Sequence, residues 1–292
     1  MVSWFTLAFS LVAVLSADSL EARLAPLAKA HKGKVAIAVK HLGTGESYYL
    51  NADEPMPTAS LIKLPVMIEV YQQVAEGKIK LSDPVTLRQE DKVPGSGILT
   101  DHFSDGATFP LRDAVRLMIV FSDNTATNLV LDKIGIGSTA QRMEEWGFPN
   151  TKIHAKVFKG STTSVFPERT KKFGLGSTTA REMVDLLEKL HAGKLVSPEA
   201  CKEMLEHLKK CDDKDKFPRF LPAGTVVAHK TGSVSDARTD AGILYLKSGP
   251  VAVCVLTAAN EDKTWRPDNA GNLLCARVAK EVYDHFTSQA KP

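Results

Sequence analysis

Three short polar clusters carry the chemical interest of this chain. Ser60-Leu61-Ile62-Lys63 places a hydroxyl and an amine three residues apart, side by side on one face if the segment is helical. A serine hydroxyl is a poor nucleophile until a neighbour takes its proton, and a lysine whose pKa is lowered by desolvation can do so. Ser122-Asp123-Asn124 follows directly on an apolar stretch, residues 115–121. All three residue types favour helix N-caps, but capping accounts for only one of them. Lys230-Thr231-Gly232, with Ser233 after it, closes an apolar strand. It would set a cation and a hydroxyl along an edge where a substrate carboxylate can dock. Taken singly, each cluster also has an ordinary reading: a chance surface pair, a helix cap, a solvent-facing strand end.

The elements around them narrow the choice. Thr58-Ala59 precede Ser60 and a largely apolar run, residues 64–70, follows it. A Ser and a Lys at the start of a buried helix are costly unless they have partners or a function. Apolar spacing predicts helices over residues 20–30, 60–76, 111–121, 125–134, 141–146, 180–191, 198–209 and 269–286. Pro65 falls in the first two turns of its helix, where a missing N–H costs least. Strands are expected at 34–41, with Val35, Ile37 and Val39 alternating, and at 46–50 after a Gly43-Thr44-Gly45 turn. Three more follow at 225–230, 240–247 and 251–257, while residues 93–106 and 159–176 read as loops. Strands at both ends with helices between them predict a mixed α/β (α+β) fold: an antiparallel sheet built from both termini, flanked by helices, with an inserted all-helical lobe. The sheet lobe would take residues 18–57 and 222–292 and the helical lobe 58–221, with the active site at their junction.

In their order and spacing, Ser-x-x-Lys, Ser-Asp-Asn and Lys-Thr-Gly make the chain resemble the class A β-lactamases and penicillin-binding proteins, from about residue 20 to 286. The resemblance implies a serine hydrolase with Ser60 as the acylated nucleophile and Lys63 as base or proton relay. Ser122 would hand a proton to the leaving nitrogen, and Asn124 would bond the substrate's acylamide side chain. Lys230 would hold Ser122 and the substrate carboxylate, which Thr231 would also contact, and Gly232 completes that motif. The backbone N–H groups of Ser60 and Ser233 would form the oxyanion hole, and residues 94–99 the rim facing the substrate. No metal and no organic cofactor are implied, and the eight histidines form no ligand spacing.

The family pattern breaks at one place. Class A β-lactamases carry a Glu on a loop between the second and third motifs, an Asn four residues later, and an Arg–Asp bridge bracing the loop. Here Thr151-Lys152-Ile153-His154-Ala155-Lys156-Val157-Phe158 stands where the Arg and Glu belong. The one acid between 151 and 179 is Glu168, with Lys172 four residues on. Glu168 is either a solvated carboxylate pairing with Arg169 or Lys171, or a displaced deacylation base. With a working base the protein destroys β-lactams. Without one it would be a penicillin-inhibited D,D-peptidase acting on cell-wall peptides. A third reading, an inactive binding scaffold, is disfavoured because such a scaffold has no need of two buried lysines beside two serines.

Composition agrees with this frame. The 292 residues are 43% hydrophobic and 24% charged, with a net charge of +3, which gives nucleic-acid binding no electrostatic support. Residues 4–14 form an apolar run followed by the small residues Ser16 and Ala17, matching a secretory signal cleaved near Ala17, although residues 1–3 hold no Lys or Arg. A buried first helix is the other reading. Residues 1–17 are therefore set apart as a signal peptide from a catalytic unit over 18–292, with a secreted or periplasmic protein, no membrane span after the leader and a monomer expected. Cys201 and Cys211 could pair only if the chain bends between them, and Cys254 and Cys275 read as small core residues.

Overall fold

The computed structural model describes residues 19–288. Alternating apolar residues start the sheet: β1 (Lys34–His41) pairs antiparallel with β2 (Ser47–Leu50), Ile37 opposite Leu50. Three long strands arrive late in the chain, β3 (Val226–Val234), β4 (Ala237–Leu246) and β5 (Gly249–Ala258). Because β1 pairs with β5, the two ends of the chain close one antiparallel sheet in the order β2-β1-β5-β4-β3.

The two-residue period of a strand sends β1's side chains to opposite faces. Val35, Ile37 and Val39 join a core completed by Leu24 of α1 (Leu20–Ala30) and by Val278, Val282 and Phe286 of α8 (Ala270–Ser288). Ala36 and Ala38 face the other way, into a core shared with the inserted helices. Those helices are α2 (Lys63–Ala75), α3 (Leu111–Val120), α4 (Asn124–Ile134), α5 (Ile136–Glu145), α6 (Ala180–His191) and α7 (Pro198–Lys209). α6 lies across β1 and β5, and α7 against β3, so the inserted helices and the sheet are joined through one continuous apolar core.

Several expected boundaries move, each for a local reason. The helix expected from residue 60 begins at Lys63, and Ala59–Ile62 is a 3₁₀ turn. Pro65 has no N–H to give the Leu61 carbonyl, which weakens the α-helical ladder there. α5 starts five residues before its expected position, because Gly135, at φ +81°, ends α4 and lets the chain restart at once. β3 does not stop at Lys230; residues 230–234 keep pairing with β4. The segments read as loops contain short helices at Leu99–His102, Gly160–Thr163 and Pro167–Phe173. All four cysteines are free and buried, with Cys201 on α7 donating to the Leu195 carbonyl. The proposed leader lies outside the described residues. Among the described residues no helix is long and apolar enough to cross a membrane.

One close approach fixes the sheet against the helices. β3 runs so near the 3₁₀ turn that a Cβ on Gly232 would collide with the Thr58 carbonyl and the Thr239 hydroxyl. Thr239 Oγ1 itself donates to that carbonyl at 2.8 Å. Gly232→Ala must therefore push strand and turn apart, and a cost of about 2 kcal/mol is expected. A urea midpoint unchanged from the parent protein would show that this contact is not a constraint.

Candidate active site

Ser60 sits at the start of the 3₁₀ turn, half-buried, on the wall of a cavity of about 750 Å³. Residues three apart eclipse in a 3₁₀ turn, so Ser60 and Lys63 project from the same side of it. The residue before the serine is held in the left-handed region, Ala59 at φ +47°. That conformation costs a non-glycine residue about 1–2 kcal/mol. Of the six described non-glycine residues with positive φ, three line this cavity: Ala59, Ser122 and Phe158. Strain concentrates where side chains must be aimed.

Ser122 is the meeting point of two buried lysine amines. Lys63 Nζ donates to the Ser122 carbonyl at 2.7 Å and to Asn124 Oδ1 at 2.8 Å, and lies 3.3 Å from Ser122 Oγ. Lys230 Nζ donates to the same Oγ at 3.0 Å and to the Thr231 carbonyl at 2.8 Å. Both lysines are fully buried. Burial, and then the charge of Lys230, hold the Lys63 pKa well below its ordinary value, which favours a neutral amine able to accept a proton. Burial lowers Lys230 too, but Cys211, Asp213 and Asp240 oppose the fall and favour its charged form.

Asp123 does more than cap. One of its oxygens accepts from the Ala126 N–H, closing the first turn of α4. The other accepts from the Ile98 and Leu99 N–H groups at 2.7 and 2.9 Å and so holds the rim loop. A Cβ on Gly97 would collide with Asp123, so only glycine lets the loop come this near. Asn124 is buried, spans from Lys63 to the Pro94 carbonyl, and lines the cavity. One helical turn on, Asn128 clips the opposite wall, accepting from the Val157 N–H and donating to the Val157 carbonyl.

Beneath Lys230 lies an ionic floor that the motifs alone do not reveal. His229 Nδ1 is 3.0 Å from Asp240 Oδ1, and Phe217 N–H donates to the same carboxylate. Burial works against a charged imidazole, yet the Asp240 carboxylate and Cys211 raise the His229 pKa to about 10. Asp213 pairs with buried Lys216 at 2.6 Å; although desolvation opposes it, that ammonium, with the Thr231 hydroxyl, keeps the carboxyl at about 2. Thr231 and Ser233 both line the cavity.

The remaining wall comes from residues 151–179. Ala155, Lys156, Val157 and Phe158 line the cavity, and Lys156 is ion-paired with Asp132. Glu168 does not reach the site: it lies exposed on the short helix Pro167–Phe173, outside the lining residues, and makes no ion pair among the described residues. Its neighbour Arg169 turns inward to Ser177 Oγ at 2.8 Å. The acids that line the cavity are Asp212 and Asp213, on the far side. In place of an Arg–Asp brace, this loop is held by a buried histidine. His154 Nδ1 donates to the Gly174 carbonyl at 2.9 Å, and Nε2 lies 3.1 Å from Ser177 Oγ.

Burial pushes the His154 pKa from 6.5 down to about 4. Between those values the unfolded chain binds the proton and the folded one does not, so this contribution is complete above pH 6.5 and declines as pH falls towards 4. The urea midpoint should drop between pH 7 and pH 4.5, and less so in His154→Asn. Parallel declines in the two proteins would remove His154 as the cause.

The structure thus brings Ser60, Lys63, Ser122, Asn124, Lys230, Thr231, Gly232 and Ser233 to one cavity and its immediate backing. Comparisons with known proteins bear on the chain as a whole. The extended-spectrum beta-lactamase PER-1 of Pseudomonas aeruginosa is 27% identical over 276 residues, 86% of this chain and 82% of its own. A beta-lactamase from Sphaerobacter thermophilus superposes with a TM-score of 0.81 at 28% identity, covering 96% of this chain and all of that one. A mutant of PBP-A, solved as an acyl-enzyme complex with penicillin G, gives 0.78 at 25% identity over 92% and 96% of the two chains. Residues 19–286 match the beta-lactamase enzyme family, and the chain belongs to it.

Proposed function

We propose that the protein is a serine hydrolase that opens β-lactam rings through an acyl-enzyme on Ser60. One observation carries the reading: Lys63 and Lys230, both fully buried, converge on the Ser122 hydroxyl at the wall where Ser60 stands. In this mechanism neutral Lys63 takes the Ser60 proton as Oγ bonds to the lactam carbonyl carbon. The oxyanion is held by the Ser60 and Ser233 N–H groups, each such donor being worth about 3–4 kcal/mol. As the C–N bond breaks, Ser122 gives its proton to the nitrogen and is reprotonated from Lys63, so the Ser60 proton ends on the lactam nitrogen while Lys63 and Ser122 return to their starting states. Lys230 and Thr231 hold the substrate carboxylate. The apolar run at residues 4–14 is consistent with an exported enzyme.

A specific feature favours a second reading of the later step. The wall from residues 155–158 offers Val157, Phe158 and an ion-paired Lys156, where a β-lactamase of class A would carry its Glu. An acyl-enzyme with no carboxylate on that side is expected to be long-lived, as in a penicillin-inhibited D,D-peptidase.

A pulse of benzylpenicillin should add one penicilloyl mass to the protein, and none to Ser60→Ala. A shift that survives in Ser60→Ala assigns the nucleophile elsewhere. Loss of the adduct within seconds, with penicilloic acid accumulating, supports the β-lactamase reading; persistence for many minutes supports the peptidase one.

The depressed pKa of Lys63 has a kinetic signature. Acylation should speed up as pH rises through that pKa, at a pH well below the ordinary 10.5, as the amine loses its proton. Lys63→Arg keeps the charge but has no accessible neutral form, and should slow acylation by about 10²–10⁴-fold. A rate equal to the parent's would remove Lys63 as the base.

A further inference from the structure

Large apolar side chains exposed on this protein gather at the cavity mouth. Trp265, 70% exposed, and Phe121, 39% exposed, both line it. Trp265 is not a loose surface ring. Its indole packs on the guanidinium of Arg238, 4.8 Å from the ring centre. Arg238 is itself fully buried, donating to the Ala237 carbonyl at 2.9 Å, to Thr264 at 2.6 Å and to Val234 at the end of β3. Arg238 thus seats the ring beside the far end of β3, with one face supported and the rest of it open to the cavity.

Phe121 immediately precedes Ser122 and is tied to the same side. The Asp212 N–H donates to the carbonyl of Val120 at 3.0 Å, and the next residue, Asp213, accepts from the Thr231 hydroxyl. Both rings line the cavity that Lys230 and Thr231 also line, one from the end of α3 and one from beyond β3.

We infer that Phe121 and Trp265 form an aromatic subsite for a flat, apolar group carried next to the substrate carboxylate. The inference rests on the reading of Ser60 as the acylated residue and of Lys230–Thr231 as the carboxylate anchor. In both substrate classes the carboxylate belongs to the half that leaves the carbonyl carbon. In a D,D-peptide that half is one C-terminal amino acid, too small to reach an aromatic wall beyond the anchor. In a bicyclic β-lactam it is a ring that can bear a large substituent beside the carboxylate. Aromatic faces attract such a group by offset stacking in addition to simple burial. The subsite thus points to cephem-type β-lactams substituted at the ring carbon adjoining the carboxylate.

Nitrocefin and cephalothin share one acyl side chain and differ at that carbon, dinitrostyryl against acetoxymethyl. Their affinities for Ser60→Ala, which binds without reacting, are measured by calorimetry with Trp265 intact, as Ala and as Phe. The preference for nitrocefin should fall about tenfold with Trp265→Ala and return with Trp265→Phe, and Phe121→Ala should reduce it as well. A ratio of affinities unchanged by Trp265→Ala overturns the subsite, as does the absence of any nitrocefin preference in Ser60→Ala. Acylation of the parent protein by the same two compounds is followed separately by mass. Absence of both an adduct and a hydrolysed product would sink the assignment of Ser60 while leaving the binding ratio to decide the subsite.

Discussion

Two lysine amines are buried around one hydroxyl, and much of the structure can be understood as what makes that tolerable. Moving a charged amine out of water costs several kcal/mol even after relaxation. Lys63 answers by losing its affinity for a proton and by spreading its N–H bonds over the Ser122 carbonyl and Asn124 Oδ1. Lys230 is answered differently, with Asp213, Asp240 and Cys211 behind it favouring its charge. Both lysines reach the one oxygen, and burial lowers both pKa values, that of Lys63 the more strongly. In the proposed mechanism a proton passes along Lys63 and Ser122 while Lys230 supplies field.

Such an arrangement needs elements that do not shift. Gly232 lets β3 lie against the 3₁₀ turn bearing Ser60, and Thr239 fastens them together. Asp123 ties the start of α4 to the rim loop, while Asn128 ties the same helix to the wall at Val157. A single helix start thus sets the distance between three walls of the cavity. The left-handed backbone at Ala59 and Ser122 is tolerated because both neighbours are fixed by packing that the sheet and helices supply.

The parts legible in the sequence were those governed by local rules. Period-two alternation marks β1, and apolar spacing marks α6 and α7 at their observed ends, where the structure adds Thr179 and Ser197 as caps. The three motifs were legible because short-range chemistry repeats in fixed order. Long-range support was not. Nothing near His154 announces that it would meet Gly174 and Ser177, twenty or more residues on. His229 directly precedes the Lys-Thr-Gly motif, but its partner Asp240 becomes its neighbour only through the β3–β4 pairing. The 3₁₀ turn was hidden too, since Pro65 was read as harmless within a continuous helix, whereas its missing N–H acts on the turn before it. Glu168 was considered for its type alone, and only the path of the loop removes it from the cavity.

The cavity walls are unequal, and the inequality bears on the two halves of the reaction. The residues to which the proposed mechanism gives the attack on a lactam carbonyl and the protonation of its nitrogen stand on the walls made by the 3₁₀ turn, the start of α4 and β3. The water that would release the acyl group needs a proton acceptor of its own, and the wall from 155–158 presents aliphatic and aromatic surface with a lysine neutralised by Asp132. Lys63, whose depressed pKa favours the neutral amine, faces Ser122 and Asn124, to which all its described bonds run. Using it again for release would require the water to enter where the leaving nitrogen had been. In a peptide that position empties when the amine departs. In an opened β-lactam it stays filled, because the nitrogen remains tethered to the acyl group. The same wall can therefore allow turnover of one substrate class and stall on the other, with no change in any residue that carries out the first step.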